Sequence, residues 1–349
     1  METVPVTFMS NVLQTASFQV TTVVHFNLSS NWGKIGNEFY TNTKHYKLVI
    51  DCEENLVRCY FVLHDQFGFE EGTIEESLTL QQFLALERRY HRIACLGINH
   101  GENLAWFPYD DDPEEDIEKR KQHEVPEASM ERLPKLVQIS FGSLEDNQFY
   151  IDESSAPCDT YDKVVNNFYE YLTGKVFFTE LSVRYTGPES EGYLDSLAKD
   201  AHTINKLALH GTWKKKSIKA LREIVKHPEI TDLNAYKGVH MKLPLEFFQG
   251  IVNDWAGDKE KRDLNVKAYM NKVPSLERKK KTKHTKGDKH FRLRRDEASG
   301  HTEISLKHRS RNDRAVIITD NRGLKTRLFY ESEQEPRGSY YFHNFSDSD

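Results

Sequence analysis

The sequence predicts an α/β protein with a small N-terminal three-helix module, then an irregular strand–helix repeat or open α/β layer, then a short antiparallel C-terminal cap. Three observations predict it. Apolar residues at helical spacing fill the first forty positions, short apolar runs alternate with amphipathic stretches through the middle, and three β-type runs follow residue 300 with only turn signals between them. The resulting divisions are 1–42, 46–272, 273–330 and a polar tail at 331–349.

The first helix is expected to start at Val4-Pro5, because proline presets φ and gives up an N–H that the first turn leaves unpaired anyway. Phe8, Met9, Val12, Leu13 and Ala16 then keep one face apolar. A second face follows in Val20, Val23, Val24 and Leu28. Ser29, Ser30 and Asn31 are N-cap candidates for a third helix carrying Trp32, Ile35 and Phe39.

A hydrophobe-proline start, an apolar helix, a second short helix and a tryptophan 27 residues after the proline resemble an F-box. The resemblance covers about a tenth of the chain. It implies docking on a Skp-type adaptor that leads to a cullin-RING ubiquitin ligase, with the rest of the chain selecting a protein substrate. On that reading Val4, Pro5, Phe8, Met9, Val12, Leu13, Leu28, Trp32 and Ile35 contact the adaptor or form the small core that presents those contacts.

Length and composition bound the remainder. The chain has 349 residues, enough for one large domain or two ordinary ones. A formal net charge of −6 argues against wholesale coating of nucleic acid. Cys52, Cys59, Cys95 and Cys158 form no C-x-x-C pair and stand apart from histidines at zinc-ligand spacing, so they read as buried thiols in a reducing compartment. Neither a signal peptide nor a membrane-spanning run is present, which predicts a cytoplasmic or nuclear protein.

Tyr46–Cys52 and Val57–His64, separated by Glu53-Glu54-Asn55, predict a hairpin. Thr79 is placed to cap a helix through Leu80, Phe83, Leu84 and Leu86, and Ile93–Ile98 is a buried-strand run. Residues 110–118 hold seven acidic side chains and Pro113, which predicts a solvated excursion within 108–131. The alternating oxygen ligands and turn glycine of a calcium loop are missing there.

The middle of the chain repeats. TELSVRYTG, NKLALHGTW, TDLNAYKGV and RDLNVKAYM each open on a short strand, with Leu181, Leu207 and Leu233 spaced by 26 residues and Leu264 after 31. Leu136–Ile139 is expected to be an earlier, degenerate strand. Helices are expected from Val164 to Leu172, from Tyr193 to Ala201, from a Ser217 cap to Val225, and from Leu245 to Gly257. Units of this kind resemble leucine-rich repeats, and the whole arrangement is similar to divergent nematode F-box proteins. An ordinary βαβ layer predicts the same alternation without a fixed period.

At residue 278 the composition turns basic. Arg278, Lys279, Lys280, Lys281, Lys283, Lys286, Lys289, Arg292, Arg294 and Arg295 face one acidic residue, Asp288. The run has three readings: a phosphate-contacting site for nucleic acid, a nuclear-localisation patch, or a solvated loop. Beyond it, Glu303–Leu306, Ala315–Thr319 and Lys325–Tyr330 predict the cap.

No nucleophile elbow, P-loop, H-E-x-x-H or dinucleotide fingerprint occurs, so the sequence predicts a non-catalytic chain without metal or cofactor. The expected function is substrate recognition for a ubiquitin ligase. The alternative is a nuclear nucleic-acid-binding or lineage-specific interaction module that uses residues 278–295.

Overall fold

A computed structural model describes residues 5–15, 24, 27, 30–64, 76–87, 89–100, 113–137, 147–151, 158–175, 178–199, 203–236, 241–257, 264–270, 291–295, 302–307, 313–319 and 325–332. Val4, Leu28, most of the expected second helix and residues 278–290 lie outside them. The chain opens with helices α1 (Val6–Thr15) and α2 (Ser30–Asn42), then hairpin strands β1 (Lys44–Glu53) and β2 (Leu56–His64). Asn55 takes the positive-φ turn position at 61°, where asparagine is better tolerated than other L-residues. Helix α3 (Leu80–Ala85) starts in a capping box, Thr79 with Gln82, and leads to β3 (His91–His100).

Over its described part, from residue 113, the stretch expected to form an acidic loop is largely helical: α4 (Pro113–Gln122) is followed by the single turn α5 (Glu127–Met130). The physical reason is end chemistry. Pro113 occupies the first helical position, acidic residues follow it, and Lys119, Arg120 and Lys121 close the last turn, all matching the helix dipole. The strand expected at Leu136–Ile139 is replaced over its described part by α6 (Leu133–Val137), and a strand not foreseen, β4 (Gln148–Ile151), supplies the next rung.

From there strands and helices alternate: α7 (Asp159–Leu172), β5 (Glu180–Arg184), α8 (Pro188–Leu197), β6 (Lys206–His210), α9 (Ser217–Ile224), β7 (Asp232–Ala235), α10 (Leu245–Gly257) and β8 (Asn265–Tyr269). Ser217 is not the cap of α9. Lys216 holds that position, and the Ser217 hydroxyl is buried with no partner among the described residues. The last described elements are β9 (Phe291–Arg295), β10 (Thr302–Lys307), β11 (Asp313–Thr319) and β12 (Lys325–Ser332).

All twelve strands join one sheet in the order β2-β1-β3-β4-β5-β6-β7-β8-β12-β11-β10-β9. Strands β1 and β3–β8 are parallel and cross the sheet in chain order. Each crossover therefore steps the same way, and a single crossover hand accounts for helices α7–α10 packing on one face of the sheet. One continuous core joins Val164, Phe168, Leu194, Leu221 and Phe248 of the helices to Leu96, Phe149, Leu181, Leu207, Leu233 and Val266 of the strands. The four C-terminal strands form an antiparallel meander that continues this sheet through β12 on β8.

The 26-residue spacing has a structural cause. Leu181, Leu207 and Leu233 are direct partners across β5, β6 and β7. Two positions before each leucine, a backbone carbonyl accepts the first N–H groups of the next unit: Thr179 from Asn205 and Lys206, Asn205 from Thr231 and Asp232. The Thr179 and Thr231 hydroxyls reinforce the ladder, each donating at 3.1 Å to the carbonyl of the preceding unit. In the last parallel strand Val266, not Leu264, stands opposite Leu233. A two-residue offset conserves which face a side chain occupies, so the expected pattern pointed to the right face in the wrong register.

Candidate functional site

Two surfaces combine chemistry and accessibility, one on the helical module and one on the sheet. In the module, the Pro5 carbonyl accepts the Phe8 and Met9 N–H groups at 3.0 and 3.2 Å and so begins α1. Met9 and Leu13 then point into a small core with Val24, Ile35, Phe39 and Tyr90, against which Trp32 packs. Pro5 and Val6, Phe8 and Val12 stay outside, the last three at 54, 56 and 37 % exposure. The residues expected at an adaptor surface thus divide in two. Pro5, Phe8 and Val12 form an accessible apolar stripe, while Met9, Leu13 and Ile35 are core residues that support it from beneath.

The module is fastened to the sheet by the segment before β3. Tyr90 stacks edge-on against Phe39 at 5.3 Å and donates its hydroxyl to Glu38, which also receives Arg89 at 3.3 Å. Burial and the Glu38 carboxylate push the Tyr90 phenol up to about 12. Arg92, itself buried, donates to the Leu13 carbonyl at 3.1 Å and satisfies the end of α1. Beside it His45 is buried, and desolvation, Arg92 and His64 together lower its pKa to about 4.

The second surface is the sheet face turned away from helices α7–α10. At the β1–β2 end it is apolar and buried, with Val49, Tyr60 and Val62 in one cluster and His123 stacked on Tyr60 at 4.5 Å. Asp51 lies at the same end, 4 % exposed and 3.5 Å from Arg58, and burial raises its pKa to about 6 despite that guanidinium. Arg58 is committed more closely to Glu53, at 2.6 Å.

From β4 onward the face becomes polar. Strand register aligns Gln148, Glu180, Lys206, Asp232 and Asn265 in one row, and Tyr150, Ser182, Ala208, Asn234, Lys267 and Arg327 in the next. The first row is internally paired. Glu180 accepts from Tyr150 at 3.0 Å and from Lys206 at 2.5 Å, Asn265 donates to Asp232 at 2.6 Å, and Arg327 donates to Asn265 at 2.9 Å. Burial and the Glu180 charge push the Tyr150 hydroxyl upward, which keeps it a donor at neutral pH. Tyr236 and Tyr269, their rings 5.5 Å apart, stand at the ends of β7 and β8.

None of these sheet residues was foreseen as a site. The signal was the alternation within strands: once Leu181, Leu207 and Leu233 face the helices, residues one position away must face the other side. In the expected basic patch, Arg292, Arg294 and Arg295 belong to β9, the outermost strand, while Arg278, Lys279, Lys280, Lys281, Lys283, Lys286 and Lys289 fall outside the described residues.

Among the described residues no group of three or more His, Cys, Asp or Glu side chains is arranged to hold a metal ion. No helix among them is long and apolar enough to cross a membrane. The chain matches no family model, no curated protein and no solved structure.

Proposed function

We propose that this chain is a non-catalytic substrate-recognition subunit of a cullin-RING ubiquitin ligase, acting in the cytoplasm or nucleus. The α1–α2 module serves as an F-box-type dock for a Skp-type adaptor. The one-way-wound sheet serves as a leucine-rich-repeat-like surface for a protein substrate. The observation that carries the reading is the two-sided apolar character of α1: Met9 and Leu13 are consumed by the module's core, yet Val6, Phe8 and Val12 remain exposed on the same ten-residue helix. A helix needs one apolar stripe to fold onto its support, and a second, outward one is the mark of a surface that meets another protein.

Capture of a purified Skp-type adaptor by the full chain tests it. Phe8→Asp and Val12→Asp place charge on the outer stripe without touching the core, so the expected result is a folded chain that no longer retains the adaptor. Failure of the wild-type chain to bind, or equal capture by wild type and both variants, overturns the reading. Met9→Ala is the contrasting change, because a buried methionine cut to alanine costs about 2–5 kcal/mol and loosens the module itself.

A further inference from the structure

On the polar sheet face, Lys267 of β8 and Arg327 of β12 are direct partners across an antiparallel pair, both half-buried. Like charges directly opposite on neighbouring strands repel and destabilise the pair. Among the described residues no acid is bonded to either cation, and Asp232, one row away, keeps its charge. Glu180 is engaged by Lys206 and Tyr150, and Asp232 by Asn265. Arg327 donates to the neutral carbonyl oxygen of Asn265 and lies 5.2 Å from the Phe329 ring centre. Among the described residues neither Lys267 nor Arg327 forms an ion pair.

The row leading away from these two cations carries short side chains, the half-buried Asn234 and Ala208 and then the buried Ser182, before Tyr150 on β4. Taller neighbours flank it: the Glu180–Lys206 pair on one side, Tyr236 and Tyr269 on the other. On side-chain length these rows outline a shallow trough running across the strands, with the two cations at one end. Crossing from β5 to β12 spans four inter-strand steps, about 19 Å, or roughly six residues of extended chain.

We propose that this trough receives an extended, acidic polypeptide segment, with a carboxylate seated between Lys267 and Arg327. The inference rests on the reading of the sheet face as the substrate surface and names the substrate's chemistry. A carboxylate converts the facing cations from a repulsive pair into a shared binding site, and charge-assisted hydrogen bonds to both donors hold it in place. The flanking tyrosines offer ring faces to the rest of the segment, the Tyr236 hydroxyl being already given to the Thr326 carbonyl.

The test uses the full-length chain and a fluorescent peptide of alternating glutamate and glycine, with its glutamine–glycine counterpart and an oligothymidine as competitors. Binding of the glutamate peptide is expected to weaken with salt, and Lys267→Thr and Arg327→Gln are each expected to weaken it about tenfold. Lys226→Thr, on a residue paired with Glu223 beyond helix α9 and outside the trough, should change it less than twofold. Lys267→Thr should also leave the melting temperature unchanged or raised, because it removes a repulsion. A drop in melting temperature for both Lys267→Thr and Lys267→Gln would make the lysine structural and overturn the proposal. So would equal binding of the glutamine peptide, or displacement by oligothymidine at lower concentration than by unlabelled glutamate peptide. Adaptor capture is measured on the same samples. Capture without peptide binding overturns this inference alone, and peptide binding without capture overturns the ligase reading alone.

Discussion

At the scale of single residues, two buried titratable groups on β1 pull stability in opposite directions with pH. Asp51 has its folded pKa raised to about 6, so the folded state holds its proton more tightly than the unfolded chain does. Its contribution is complete below about pH 4 and lost as pH rises to 6. His45 has its folded pKa lowered to about 4, so its contribution is complete above about 6.5 and lost as pH falls towards 4. The contributions of these two groups should therefore nearly cancel between pH 4 and 6. Urea unfolding across that range checks it: Asp51→Asn should slope downward on acidification and gain on the order of 2 kcal/mol at pH 7. His45→Gln should slope the other way. An Asp51→Asn variant weaker than wild type at pH 7 would mean that the ion pair with Arg58 outweighs the cost of burying the charge.

Among the elements, the turn that joins β6 to α9 depends on one glycine. Gly211 has φ near +82°, and a Cβ added there would stand 3.3 Å from the Tyr185 backbone nitrogen. Gly211→Ala should cost about 1–3 kcal/mol in denaturant unfolding, and Gly192→Ala, where nothing lies within 4 Å, should be close to neutral or stabilising. Most elements with strong periodicity were legible in the sequence. The middle units were the clearest, since Thr179, Asn205 and Thr231 recur at fixed offset from their leucines and the hydrogen-bond ladder requires that offset. Helix α4 was not, because its residues carry almost no apolar period and its helical signal sits in Pro113 and the terminal charges. Strand β4 is four residues long, below the length at which alternation identifies a strand. The sorting of α1 into core and surface was also hidden: Phe8 and Met9 are adjacent apolar residues, and the tertiary packing of Ile35, Phe39 and Tyr90 decides which is covered.

For the molecule as a whole, the helical module and the sheet have separate cores joined mainly through Tyr90, Arg89 and Arg92. Tyr90→Ala removes an aromatic from the smaller core and its bond to Glu38, so amide exchange in α1 and α2 should accelerate by at least tenfold while β3–β8 remain protected. Uniform acceleration throughout would show that the two cores open together. The wider sheet has a consequence for how it is made. Because each parallel strand pairs with its predecessor in the chain, the sheet can grow as the polypeptide leaves the ribosome, one rung added to a finished edge at a time. The last contacts to form are then the long-range ones: β12 on β8, and the Tyr236 hydroxyl on the Thr326 carbonyl 90 residues away. Lys267 and Arg327 meet only at that step, so the cationic end of the trough comes into being after every other parallel strand is already in place.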